Sequence, residues 1–182
     1  MEKLEHRAEL ERLKLRMASE RPAEWDDLPD LPLYMDQLVA YVDRQLITFR
    51  EGEGLTSAKI NNYIKDGIVP RANGKRYEKE HIATLTAVAV LKQVLSVRDL
   101  ATLMENGVKE ANPEEAYTRF CIGVDNALKE ALEDMEKGPD DLPSLAVSLA
   151  LRSYADALAC RRILDLLREE SDGAAKDKKK KK

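Results

Sequence analysis

Apolar positions along this chain recur mostly at intervals of three and four, the spacing of one helix face, and the breaks fall at proline and glycine. Glu2–Ser19 carries Leu4, Ala8, Leu10, Leu13, Leu15 and Met17 in a narrow, ragged stripe. That predicts a helix either held loosely on the body or used to bind a partner. Pro22, Pro29 and Pro32 then deny helical hydrogen bonding to Arg21–Leu33, an extended segment that Trp25 and Leu28 would pin to the body. Met35–Phe49 reads as a helix with Leu38, Val39, Val42, Leu46 and Phe49 on one side, ended by Gly52-Glu53-Gly54.

A short helix is predicted from about Thr56 to Asp66, capped by Thr56 or Ser57, with Ile60, Tyr63 and Ile64 as its apolar face. Gly67 stands where a left-handed residue closes a helix, Ile68 folds back on the last turn, and Pro70 prevents continuation. Gly67–Tyr77 is too short for another helix and centres on Asn73-Gly74, a hairpin-turn dipeptide. Two short strands or an extended loop with a basic tip are expected there. Glu78–Leu95 predicts a helix apolar on most sides. Ser96 opens the next, with Asp99 placed for a return bond, Leu100, Leu103 and Met104 inward, and Gly107 as the stop.

Asn112-Pro113-Glu114-Glu115 is a full helix start, and Tyr117 to Met135 then repeat at three and four up to Gly138-Pro139. A second long helix is predicted over roughly Pro143–Arg168. The short connection makes the two a long antiparallel helical hairpin, with Tyr117, Phe120 and Tyr154 in its core. From Ser171 the chain is low in complexity and ends in five lysines, which reads as a disordered, solvated tail rather than a DNA-binding arm.

Charge changes this picture more than composition does. The net charge is −4, yet Leu55–Arg98 holds eight cations against three anions, a local +5 that leaves −9 elsewhere. An acidic chain with one basic segment suits directed contact with phosphates. Cys121 and Cys160 sit in apolar helical patterns and read as reduced core thiols. No apolar run approaches the roughly 20 residues of a membrane helix. The charged N-terminus is unlike a signal peptide, so a cytoplasmic protein without membrane contact is expected.

Candidate chemistry is sparse. His6 and His81 are the two histidines, and Glu78-x-x-His81 is half of a di-iron motif whose other half is missing. Gly52-Glu53-Gly54 with Thr56 and Lys59 lacks the order of a phosphate-binding loop. No catalytic, metal-binding or cofactor-binding residue is assigned, and a protein other than an enzyme is expected.

The stretch LTSAKINNYIKDGIVPRANGKRYEKEHIATLTAVAVLKQVLSVRDLATLM resembles the DNA-binding domain of MerR-type regulators. The order is that of the family: a recognition helix (Ser57–Asp66), then Gly67-Ile68-Val69-Pro70, then a basic wing (Arg71–Tyr77). A leucine-rich helix (Glu78–Leu95) and a short helix opened by a small polar residue (Ser96–Asn106) follow. With Leu33-Tyr34-Met35-Asp36-Gln37 upstream, the chain more closely resembles an uncharacterised bacterial family, known chiefly from Firmicutes and catalogued as a domain of unknown function, that has a MerR-like head. The resemblance covers about half of the chain. Two features depart from MerR-type proteins: the long Ile47–Leu55 connection, and Asn61 where an arginine is usual.

The resemblance implies a mainly α fold with a MerR-like winged helix-turn-helix at 34–107. It is preceded by a charged helix and Pro-rich lead-in at 1–33, and followed by a hairpin at 112–170 and the tail at 171–182. The implied function is that of a DNA-binding transcriptional regulator and homodimer on double-stranded DNA, with helix 57–66 in the major groove and wing 67–77 on the backbone. With Ile60 and Ile64 inward, helical geometry turns Ser57, Lys59, Asn61, Asn62 and Lys65 outward or to the flanks. Asn61 and Asn62 are candidates for base contact, and Lys59 and Lys65 for phosphate. Arg71, Lys75 and Arg76 would let the wing grip the backbone or enter a minor groove, with Tyr77 packed beneath. The hairpin would dimerise or sense a signal, and an unidentified effector between head and hairpin is left open. The alternative is a helical protein–protein interaction module on a winged-helix scaffold that does not bind DNA.

Overall fold

The computed structural model describes residues 2–45, 54–107 and 112–180, with side chains for 5–45, 54–106 and 112–171. Among them run α1 (Glu2–Ser19), a 3-10 turn (Trp25–Asp27), α2 (Met35–Asp43), α3 (Ser57–Lys65), α4 (Lys79–Leu91), α5 (Val97–Gly107), α6 (Pro113–Lys137) and α7 (Leu142–Lys180). Extended pairing among the described residues is confined to two antiparallel bridges, Leu33 with Tyr77 and Asn73 with Arg76. Leu46, Phe49, Gly52-Glu53 and most of the Ile47–Leu55 connection lie outside the described residues. The chain is mainly helical, and among the described residues no helix is long and apolar enough to cross a membrane.

The helix starts follow local chemistry. Thr56 Oγ1 accepts the Lys59 N–H at 3.2 Å. Ser96 and Asp99 exchange bonds, the Ser96 N–H to Asp99 Oδ2 and the Asp99 N–H to Ser96 Oγ, both at 3.2 Å. Asn112 Oδ1 accepts the Glu114 N–H at 3.1 Å, ahead of Pro113 in the first helical position. Each cap occupies an amide that the helix itself leaves without a partner.

α4 is the centre of the core. Ile82, Leu85 and Val88 are fully buried, and the helix packs against α2 and α6. Leu38 and Val42 from α2, Ile60 from α3 and Leu100 from α5 join the same cluster. Truncating any of the leucines or isoleucines among these to alanine removes about 2–5 kcal/mol of stability. The lead-in is pinned as its side chains suggest. Leu28 is buried, and Trp25 lies 6.2 Å from the Tyr117 ring. α1 packs on α6, and Arg21 just beyond it pairs with Asp125 at 2.7 Å.

Four expectations are corrected. α2 ends at Asp43 rather than Phe49, with Arg44 and Gln45 in a turn beyond it. α4 ends at Leu91 rather than Leu95, and Val94 beyond it is exposed. α7 runs on to Lys180, so the segment after Ser171, expected to be unordered, continues the helix through 180; its alanines and lysines are strong helix formers. Tyr154, expected in the core, is 66% exposed. α7 bears apolar residues around much of its circumference, and its neighbours bury Leu145 and Leu164 but leave Val147, Leu151, Tyr154, Leu158 and Ile163 exposed. α7 meets α6 through Arg152, which pairs with Glu130 at 3.1 Å and with Asp134. It meets α5 through Arg168, which pairs with Asp99 and donates to Thr102 Oγ1 at 3.0 Å.

Candidate nucleic-acid interface

α3 is built with one apolar and one polar side. Ile60 is fully buried and Tyr63 is 7% exposed, which fixes the inward arc. At 100° per residue, Asn61, Asn62 and Lys65 fall on the opposite arc around the small Ala58, with Ser57 and Lys59 on the flanks. All five are exposed. Lys59 Nζ donates back to the Gly54 carbonyl at 3.0 Å, so it braces the start of the helix. Burial raises the Tyr63 phenol above its ordinary pKa and keeps it neutral.

Asp43 and Leu55 tie α3 to α2. The Leu55 N–H donates to Asp43 Oδ1 at 2.9 Å. Gly54 leaves room for that carboxylate, because a Cβ there would fall 2.5 Å from Asp43 Oδ2. No local pattern signals this tie, since it spans the Ile47–Leu55 connection.

The segment after α3 is held at both ends and exposed in the middle. Gly67 has φ +73° and closes α3. The N–H groups of Ile68 and Val69 both donate to the Tyr63 carbonyl, at 2.9 and 3.2 Å, and both side chains are buried. Gly74 has φ +64°, and the Arg76 N–H reaches the Asn73 carbonyl at 3.2 Å. Leu33 and Tyr77 exchange two backbone bonds at 2.9 Å. Tyr77 is 6% exposed and packs beneath the segment.

His81 anchors the segment from below. Its Nδ1 accepts the Glu78 N–H at 3.1 Å, so Nε2 carries the proton and donates to the Arg71 carbonyl 3.2 Å away. The Tyr77 ring meets it edge-on at 5.7 Å. Glu78-x-x-His81 is therefore a helix cap and a brace for the loop. The guanidinium of Arg76 lies 5.3 Å over the Tyr34 ring and donates to Tyr34 Oη at 3.3 Å. Lys79 is engaged by Asp30 at 2.9 Å and stands over Trp25. Among the described residues Lys65, Arg71 and Lys75 are exposed and have no ion-pair partner. All eight candidates, Ser57, Lys59, Asn61, Asn62, Lys65, Arg71, Lys75 and Arg76, are exposed on α3 and the loop after it, and the sequence pattern gives no sign that Tyr34, Asp43 and His81 brace them.

A cavity of about 310 Å³ opens between α4, α5 and the start of α6, with Leu100, Leu103, Met104 and Phe120 in its wall. Pro70, at the base of the loop, also lines it, as do Glu80 and Arg119.

A family model described as a domain of unknown function, DUF1836, matches residues 23–120. No curated protein matches the chain, and no solved structure does. The two ends of the matched segment meet. Tyr117 Oη donates to the Ala23 carbonyl at 2.9 Å, and the Tyr117 ring packs between Trp25 and Phe120. Burial pushes the Tyr117 phenol far above its ordinary pKa, which keeps it a donor. The matched unit thus takes in the lead-in and the first turns of α6, beyond the 34–107 expected for the head.

Proposed function

We propose that this chain, which belongs to the DUF1836 family, binds double-stranded DNA as a homodimer and regulates transcription. In this reading residues 34–107 form a MerR-like winged helix-turn-helix. α2 and α3 are its helix pair, α3 enters the major groove, and 67–77 is the wing on the backbone.

The observation that carries the reading is a run of exposed polar and basic side chains on a rigid support. Asn61, Asn62 and Lys65 stand on the outer arc of a capped helix. Arg71 and Lys75 follow on a loop that Tyr63, Leu33 and His81 hold by hydrogen bonds. Unpaired surface cations around a helix-sized polar face are what a phosphate-flanked groove requires. Asparagine amides at the centre of that face suit the donor and acceptor edge of adenine.

An electrophoretic shift on fragmented genomic DNA tests this. Retarded fragments that are released by rising salt are expected. No retardation at low salt by the full-length chain overturns it.

A further inference from the structure

The cavity between α4, α5 and the start of α6 has an apolar interior and a polar mouth. Leu91, Leu100, Leu103, Met104 and Phe120 stand in its wall. The two hydroxyls of the wall are already engaged: Thr84 donates to the Glu80 carbonyl at 2.8 Å, and Tyr117 to the Ala23 carbonyl at 2.9 Å. Among the described residues no buried side-chain nitrogen or oxygen lacks a hydrogen-bond partner. A polar group carried inside would lose its hydration and find nothing in exchange. At the mouth Glu80 and Arg119 are both exposed and opposite in charge, so neither an anion nor a cation is favoured.

Volume sets the size of the occupant. A cavity of about 150 Å³ lined by Leu, Ile and Phe takes one benzene ring, and the 310 Å³ here is roughly twice that. Pro70 joins the cavity to the exposed loop. It stands between Val69, whose N–H is bonded to the Tyr63 carbonyl at the end of α3, and Arg71, whose carbonyl takes the His81 bond. Its ring fixes φ, so contact with Pro70 restrains the backbone on either side.

We infer that an uncharged apolar molecule of one or two rings binds in this cavity and, by packing on Pro70, stiffens the junction of α3 with the loop. Its part as an effector of DNA binding rests on the reading above; the binding itself does not. A helix of a second copy is a poorer occupant, since a single turn about 10 Å wide and about 5.4 Å long exceeds this volume.

The test uses the full chain without DNA, so a failure to bind DNA leaves the inference standing. Naphthalene is the probe, titrated by calorimetry beside naphthoate and naphthylmethylammonium. Naphthalene is expected to bind, and each charged analogue to bind weaker by roughly tenfold or more. Ala87→Phe and Ala116→Phe fill the cavity from α4 and from α6, and each is expected to abolish binding with helical circular dichroism retained. Amide exchange at Ile68 and Val69 is expected to slow when naphthalene is added to wild type, and to stay unchanged in the filled variants. No binding of naphthalene, binding that persists in both filled variants, a charged analogue that binds as tightly, or unaltered exchange in wild type would each overturn the inference. So would a wild-type dimer that both filled variants split, which would put a second copy in the cavity.

Discussion

His81 and Arg71 are joined across the base of the exposed loop: the imidazole Nε2 donates to the Arg71 carbonyl at 3.2 Å, while Nδ1 accepts the Glu78 N–H. One buried side chain therefore caps α4 and fixes the start of the segment that carries Arg71, Lys75 and Arg76. His81→Ala leaves the Glu78 amide without its partner and opens space beside Tyr77. A loss of about 1–3 kcal/mol in urea unfolding is expected. Amide exchange should quicken at Arg76 and Tyr77 before it does in α7. Unchanged protection at those two amides would mean that the loop is held without the imidazole.

Gly67 and Gly74 separate backbone from packing. Both have positive φ, and a Cβ on either would meet nothing within 4 Å. Alanine at each should therefore cost only the left-handed backbone penalty, about 1–2 kcal/mol, with asparagine costing less. Thermal unfolding of the four single variants checks the order. Alanine and asparagine being equivalent would show that the positive φ is not needed in solution.

Asp99 gives a pH-dependent clasp between α5 and α7. The Ser96 hydroxyl hydrogen bond, and then Arg168, hold its carboxyl below the usual carboxylate range against the opposing effect of burial. A carboxyl whose pKa is lower in the folded state stabilises above its unfolded pKa, near 4, and loses that contribution as pH falls through the folded value. Asp99→Asn is expected to be less stable by about 1 kcal/mol at pH 7, with the gap to wild type closing on acidification below pH 4. A gap that does not narrow on acidification would show that the loss comes from packing rather than charge.

What is legible in the sequence is local. The Gly67 stop, the Asn73-Gly74 turn, the Ser96–Asp99 exchange and the Asn112-Pro113 start each depend on residues within four positions of one another, and each stands where the pattern puts it. What is hidden depends on the path of the chain. Nothing in the pattern sets Tyr34 beneath Arg76 or returns the Asp43 carboxylate to Leu55. The Glu78-x-x-His81 spacing is visible, but the Arg71 carbonyl it serves is not. The pattern misplaces Tyr154 because a helix with apolar residues around much of its circumference gives no sign of which of them its own chain covers.

The most direct test of a DNA interface on α3 and the following loop is the salt dependence of binding to a retarded fragment, followed by fluorescence anisotropy. Wild type is compared with a Lys65→Ala, Arg71→Ala, Lys75→Ala triple variant, whose three side chains are exposed and unpaired. The expected result is weaker binding by the variant and a log–log salt slope flatter by about three ions, one for each phosphate the variant no longer neutralises. An unchanged slope with unchanged affinity would contradict the assignment of the interface, whatever else the protein binds.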